Sequence, residues 1–163
     1  PGQSKIRACF VGLNMDFKQL FVDNGVEIDF SSQSKTAVLQ KMSTLLSQIL
    51  GVVSKEELFD AYWKRECLGS TALGHGISIP HIRIAAISKP HACFLRLQHP
   101  IDFGAEDKQF VDLVVGLVVP EQQTREHLFI LREIIRKFSD PEFRSNCRRA
   151  STEDQLLTIL TAL

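Results

Sequence analysis

The sequence predicts an α/β fold built on a mixed β-sheet. Three observations carry that expectation. Stretches with helical periodicity alternate with short β-rich stretches along the chain, the pattern of α/β architectures. Asp112 to Val119 is a Val-rich, almost unbroken apolar run, as expected of a strand covered on both faces. Short extended pieces near residues 77 and 92 are placed as antiparallel neighbours, which makes the sheet mixed.

Taken in order, residues 1–12 carry no assignable pattern. Val26, Ile28 and Phe30 alternate after the turn pair Asn24-Gly25 and predict a strand. Val38, Met42, Leu45, Leu46 and Ile49 recur at helical spacing, predicting a helix over Lys35 to Leu50 that Gly51 ends. Ser54 and Glu57 form a capping-box pattern that opens a second helix. Leu58, Phe59, Tyr62 and Trp63 form its apolar face, Lys64 and Arg65 suit the dipole of its last turns, and Gly69 stops it.

Residues 69–76, Gly-Ser-Thr-Ala-Leu-Gly-His-Gly, have loop composition, and Ile77 to Ile79 is an extended piece cut by Pro80. Ala92 to Leu97 reads as a strand, and Pro120 closes the apolar strand that follows. A long helix is expected over Thr124 to Phe138, with Leu128, Leu131, Ile134, Ile135 and Phe138 on one side and Pro141 beyond its end. A last helix, opened by Thr152 and Gln155, runs to Leu163.

Composition narrows the functional class. A chain of 163 residues, 44% hydrophobic and 23% charged, is long enough for one well-buried domain. Nineteen basic residues balance nineteen acidic ones. That balance gives no general attraction to nucleic acid or to an anionic membrane. Cys9, Cys67, Cys93 and Cys147 are widely spaced without a C-x-x-C pair, which points to free thiols in a reducing compartment. The longest apolar run, Leu113 to Val119, is too short to cross a bilayer. A cytoplasmic protein without membrane insertion is expected.

Several residues are candidates for chemistry. Gly69 and Gly74 match the opening of a G-x-x-x-x-G-K-[ST] phosphate loop, but His75 and Gly76 stand where the lysine and the hydroxyl must be. A small-residue loop whose backbone could approach an anion is what survives. His81 follows Pro80 at a strand end, where α/β proteins tend to bind ligands, and a neutral imidazole is a competent nucleophile. A loop histidine taken alone is more often simply solvated. His127 lies near a helix start, where a neutral ring could donate to an anion. Arg65 can fork onto phosphate oxygens, although a solvated helix end explains it equally. Cys67, His75 and His81 match no zinc spacing, no G-x-S-x-G elbow is present, and His91 and His99 read as surface positions.

The run Arg65-Glu66-Cys67-Leu68-Gly69-Ser70-Thr71-Ala72-Leu73-Gly74-His75-Gly76-Ile77-Ser78-Ile79-Pro80-His81 closely resembles the active-site segment of IIA proteins of the bacterial phosphotransferase system. The subgroup is the mannitol/fructose type, which includes the nitrogen-regulatory proteins. The likeness continues through Leu97 to Phe103, Val111 to Pro120 and Glu126-His127-Leu128. It implies a type-2 IIA domain over residues 15–163, with residues 1–14 as an extension of uncertain structure.

The resemblance implies a single domain with a mixed central sheet and helices on both sides. It implies that His81 accepts a phosphoryl group from a phosphohistidine on HPr or an HPr-like carrier. It places Arg65 and His127 at the site, with Gly69, Ser70, Thr71 and Gly76 in a phosphate-contact loop. The phosphoryl group arrives already on a nitrogen, so no nucleotide, metal or other cofactor is required. A lone domain points to the nitrogen-regulatory branch, a phosphorylation-dependent regulator. The alternatives are a sugar-specific IIA that passes phosphate to a IIB, and a binding module that is never phosphorylated.

Two departures stand out. Ile82 and Arg83 follow His81 where the family usually has glycine and then often lysine, and His75 replaces a small polar residue. Ile82 is expected to stand exposed beside the nucleophile and, with Arg83, to govern the choice of partner.

Overall fold

The structure, a computed structural model, describes residues 17–122 and 124–162. The expected extension, residues 1–14, and the unassigned residues 1–12 lie outside them. The elements are α1 (Phe17–Leu20), β1 (Phe21–Phe30), α2 (Lys35–Leu50), α3 (Lys55–Cys67), β2 (Ala72–Gly74), β3 (Ile77–Ser78), β4 (His81–Ile84), β5 (His91–Ile101), β6 (Val111–Pro120), α4 (Thr124–Phe138), α5 (Pro141–Arg149) and α6 (Glu153–Thr161).

Six strands form one sheet in the order β1-β5-β6-β3-β2, with β4 also paired to β6. The pair β5–β6 is antiparallel, whereas β1 runs parallel to β5, and β3 and β4 run parallel to β6. The mixed sheet is therefore present, but the pairing differs from expectation. The strands near 77 and 92 do not touch each other. They flank β6 on its two sides, because both a short parallel piece and a long antiparallel strand can cover the apolar β6.

Side chains along β6 alternate between two cores. Leu113, Val115, Leu117 and Val119 pack with α4, α5 and α6, and Val114 and Val118 pack with α2 and α3. Each face is thus covered by helices, which is why the run reads as continuously apolar. Gly116 is the exception in the run: a Cβ there would lie 2.6 Å from Met42 Cε, so glycine lets α2 seat against the strand.

The helix caps follow the sequence signals. The hydroxyls of Ser34, Ser54 and Thr152 accept from the backbone N–H groups of Ala37, Glu57 and Gln155. Gly51 ends α2 with φ 71°, in the left-handed region.

Four local expectations are corrected. Asn24-Gly25 is no turn; it lies inside β1 at a register irregularity, where a bulge accommodates turn-type residues. Loop residues 72–74 pair with β3 as a short hairpin arm. Pro141, read as lying beyond a helix, opens α5 behind the cap Asp140, since the first helical position needs no N–H. Helix α4 buries His127, Ile130, Ile134 and Phe138, whereas Leu128 and Ile135 are 68% and 40% exposed.

Pro80 does not end the extended chain. It separates β3 from β4, which continue along the same partner: Ile77 lies opposite Leu113 and His81 opposite Leu117. Proline has no N–H for a ladder, but its carbonyl accepts from Leu117 N at 2.9 Å. This interruption sets His81 at the start of a strand on the sheet margin.

Candidate functional site

Three elements bring the site together. Ile82 and Ile84 of β4 pack into the core beneath α2 and α3. Strand alternation therefore turns His81 and Arg83 to the opposite face, the face covered by α4. The first turns of α4 supply His127, and the last turn of α3 supplies Arg65. These residues line one cleft of about 910 Å³. Its floor is fixed from behind by Tyr62, whose hydroxyl donates to the carbonyl of Leu117, the strand partner of His81, at 2.8 Å.

The His81 ring is half-buried, with Nδ1 2.8 Å from the carbonyl oxygen of Ile79. A carbonyl can only accept, so Nδ1 carries the proton and Nε2 keeps its lone pair. Burial, first, lowers the pKa of His81; Arg65 and Arg83 push the same way, against the Ile79 hydrogen bond and Glu66. The ring is thus held neutral, in one tautomer, with a nucleophilic nitrogen free.

His127 is 3% exposed, and neither ring nitrogen has a hydrogen-bond partner among the described residues. Burial is the main cause of its lowered pKa, with Arg83 adding to it and Glu126 opposing. An unpartnered buried polar group costs on the order of 1–3 kcal/mol, and such a group in a cleft wall is suited to meet a ligand atom. The guanidinium of Arg65 donates from Nη1 to the carbonyl of Gly69 at 2.9 Å, which braces the helix end and leaves further N–H groups for an anion.

The structure does not bring the whole expected phosphate loop to this cleft. Gly69 acts through Arg65. Ser70 Oγ donates to Phe103 O and accepts from Ala72 N, and Thr71 is buried with its hydroxyl donating to Glu66. Gly76 lies beside Asp112 and Leu113, whose N–H groups its carbonyl accepts. His81 is five residues further along the same edge, roughly 16 Å at strand rise. Gly76 and His75 are therefore at the other end of the sheet. There Arg148 clamps Asp112 with two bonds of 2.9 Å and donates to the His75 carbonyl. His75 is thereby separated from His81 and Cys67, in keeping with the absence of a zinc spacing among the three.

The exposure expected of Ile82 is also corrected. It lines the cleft but is only 7% exposed, because its inward position on β4 sends the side chain into the core. Arg83, its neighbour, is exposed and lines the cleft.

Sequence reasoning missed a buried polar chain behind Arg65. Ser78 Oγ lies 3.0 Å from Thr71 Oγ1, Thr71 donates to Glu66 Oε1, and Lys35 Nζ is 2.5 Å from Glu66 Oε2. The signal was available: Leu58, Tyr62 and Glu66 recur every four residues on the buried face of α3. Also missed was an exposed apolar rim, Trp63, Leu68 and Leu128, around the cleft mouth.

A mixed sheet sandwiched by helices, with an electropositive cleft around a neutral histidine, defines a histidine phosphoryl-carrier class. Residues 19–162 match the family described as phosphoenolpyruvate-dependent sugar phosphotransferase system, EIIA 2, and the chain belongs to that family. It is similar to a "Nitrogen regulatory protein" of Pseudomonas aeruginosa, 38% identical over 127 residues, covering 78% of this chain and 82% of that one. The crystal structure of Nitrogen Regulatory Protein IIA-Ntr from Neisseria meningitidis superposes with a TM-score of 0.83 at 32% identity, covering 88% of this chain and 97% of that one. A "PTS system 2-O-alpha-mannosyl-D-glycerate-specific EIIABC component" of Escherichia coli is 30% identical over 129 residues, 78% of this chain but 20% of that longer protein. The chain is accordingly a phosphotransferase component, a carrier of phosphate on histidine.

Proposed function

We propose that Nε2 of His81 takes up the phosphoryl group from a phosphohistidine on an HPr-like carrier, and that the loaded and unloaded forms act as a regulatory signal. The observation that carries this is the Nδ1–H bond to Ile79, which commits the free lone pair to Nε2 in the cleft. In the transfer, the Nε2–P bond forms as the donor's N–P bond breaks, and the donor imidazole leaves with the electron pair. The transition state is loose and its charge resides on the three equatorial oxygens, so positioning and electrostatics do the catalysis. Arg65, Arg83 and a donating His127 N–H would meet those oxygens.

Names of the relatives cited above support the regulatory, nitrogen-related reading. Among the described residues no helix is long and apolar enough to cross a membrane, and a cytoplasmic location fits a partner that is itself a phosphocarrier. Likeness to one module of a fused sugar transporter favours a second reading, onward transfer to a IIB. Loading the protein with labelled phosphate and adding purified IIB proteins separates the two. Retention of the label supports the regulator, and rapid transfer to a IIB supports the sugar route.

A further inference from the structure

Among the described residues the cleft walls contain Lys64, Arg65 and Arg83 and no carboxylate, and Lys64 is paired with Asp60 at 2.8 Å beside them. Arg65 and Arg83 are accounted for by the phosphoryl group. The charge continues beyond them. On α4, the helix that supplies His127, Arg125 and Arg132 are exposed and have no ion-pair or hydrogen-bond partner among the described residues. They stand seven residues apart, so they share one meridian of the helix. Leu128 and Ile135, also exposed and also seven apart, form the adjoining stripe on the cleft side. Leu128 belongs to the cleft wall itself, so the stripe and the cleft are one continuous surface. The acidic residues of α4, Glu126 and Glu133, fall on the far flank, and Glu133 is occupied by Arg136 at 2.8 Å.

In a chain with no net charge, this is a one-sided surface: an apolar centre at Trp63, Leu68 and Leu128, bordered by Arg125 and Arg132, which have no carboxylate partner among the described residues. Such a surface fits a partner of opposite sign and disfavours one of like sign. We infer that the carrier docking on this cleft presents an apolar patch bordered by carboxylates around its phosphohistidine, and that Arg125 and Arg132 select it against carriers with a basic rim. The inference rests on the proposed phosphoryl transfer to His81. It moves the choice of partner from Ile82, which is buried, to the exposed arginines of α4.

The test uses one HPr-type carrier in two charge-swapped forms, with an acidic and with a basic rim around the phosphohistidine. Phosphoramidate serves as a small donor that needs no docking. Transfer from the acidic-rim form should be about tenfold or more faster at low salt, the advantage shrinking as salt screens the charges. Arg125→Glu with Arg132→Glu should reverse the preference and leave phosphoramidate loading unchanged. Equal rates from both carriers, or an unchanged preference in the double variant, would overturn the inference while phosphoramidate loading still upholds the carrier function. Failure of phosphoramidate and of both phosphorylated carrier forms to load wild type would overturn the proposed transfer to His81, and the inference with it.

Discussion

The imidazole of His81 and the carbonyl of Ile79 are joined at 2.8 Å across Pro80. The bond spans two residues, so the fixed backbone of the proline sets the orientation of the ring. It also dictates that the free nitrogen is Nε2. Most of the site's chemistry follows from this relationship.

Acid should destabilise the protein in a defined window. The pKa values of His81, His91 and His127 are all lowered, in each case chiefly by burial. The unfolded chain then binds more protons below the ordinary histidine value of about 6.5. Stability is fully present above that value and is lost as pH falls toward the folded-state pKa values. Urea titrations between pH 7.5 and about 5 should show the midpoint falling, with His127→Leu showing a smaller fall than wild type.

His127→Leu should separate stability from activity. Replacing a buried ring whose two nitrogens lack partners removes an unmet desolvation cost, so the variant should be about 1 kcal/mol more stable. It also removes a donor to the transferring phosphoryl group and should slow loading by about 10²-fold. Chemical denaturation and loading rates on the same sample check both halves. A destabilised variant with normal loading would show a packing role only.

Arg65→Ala should slow loading by about 10²-fold, the loss of a charge-assisted contact in the transition state. Arg65→Lys should recover only part of the rate, because a point charge cannot fork onto two oxygens. Stopped-flow loading from a phosphorylated carrier measures both. Equal rates for wild type and Arg65→Ala would reduce Arg65 to its bond with Gly69.

Ile82→Gly should unfold more easily rather than accept more partners. Deleting a core side chain that is 7% exposed costs about 2–5 kcal/mol, and glycine in a strand adds to that. The denaturation midpoint gives the answer, and an unchanged midpoint would place Ile82 outside the core.

Much of this was legible in the sequence because the signals were local. Ser54, Thr152 and Gly51 act through neighbours three or four residues away, and the helices they bound appear where expected. The run from Arg65 to His81 carries the proposed nucleophile as a motif. What was not legible depends on tertiary contacts. Nothing near Ser70, Thr71 or Gly76 reveals that their polar groups are committed to Phe103, Glu66 and Asp112, between 5 and 36 residues away. The inward turn of Ile82 depends on pairing with Val118. Leu128 shares one side of α4 with Ile134 and Phe138 in the sequence pattern yet is 68% exposed, since an apolar residue at helical spacing looks the same whether it faces a core or a partner.

The central claim is tested most directly by locating the phosphoryl group at atomic level after incubation with phosphoenolpyruvate, enzyme I and an HPr-type carrier. Nitrogen-15 spectra of the histidine side chains, recorded with intact-mass measurement, should show one phosphoryl group on Nε2 of His81, absent from His81→Ala. A phosphoryl group on Nδ1 of His81, on another residue, or at full stoichiometry in His81→Ala would contradict it.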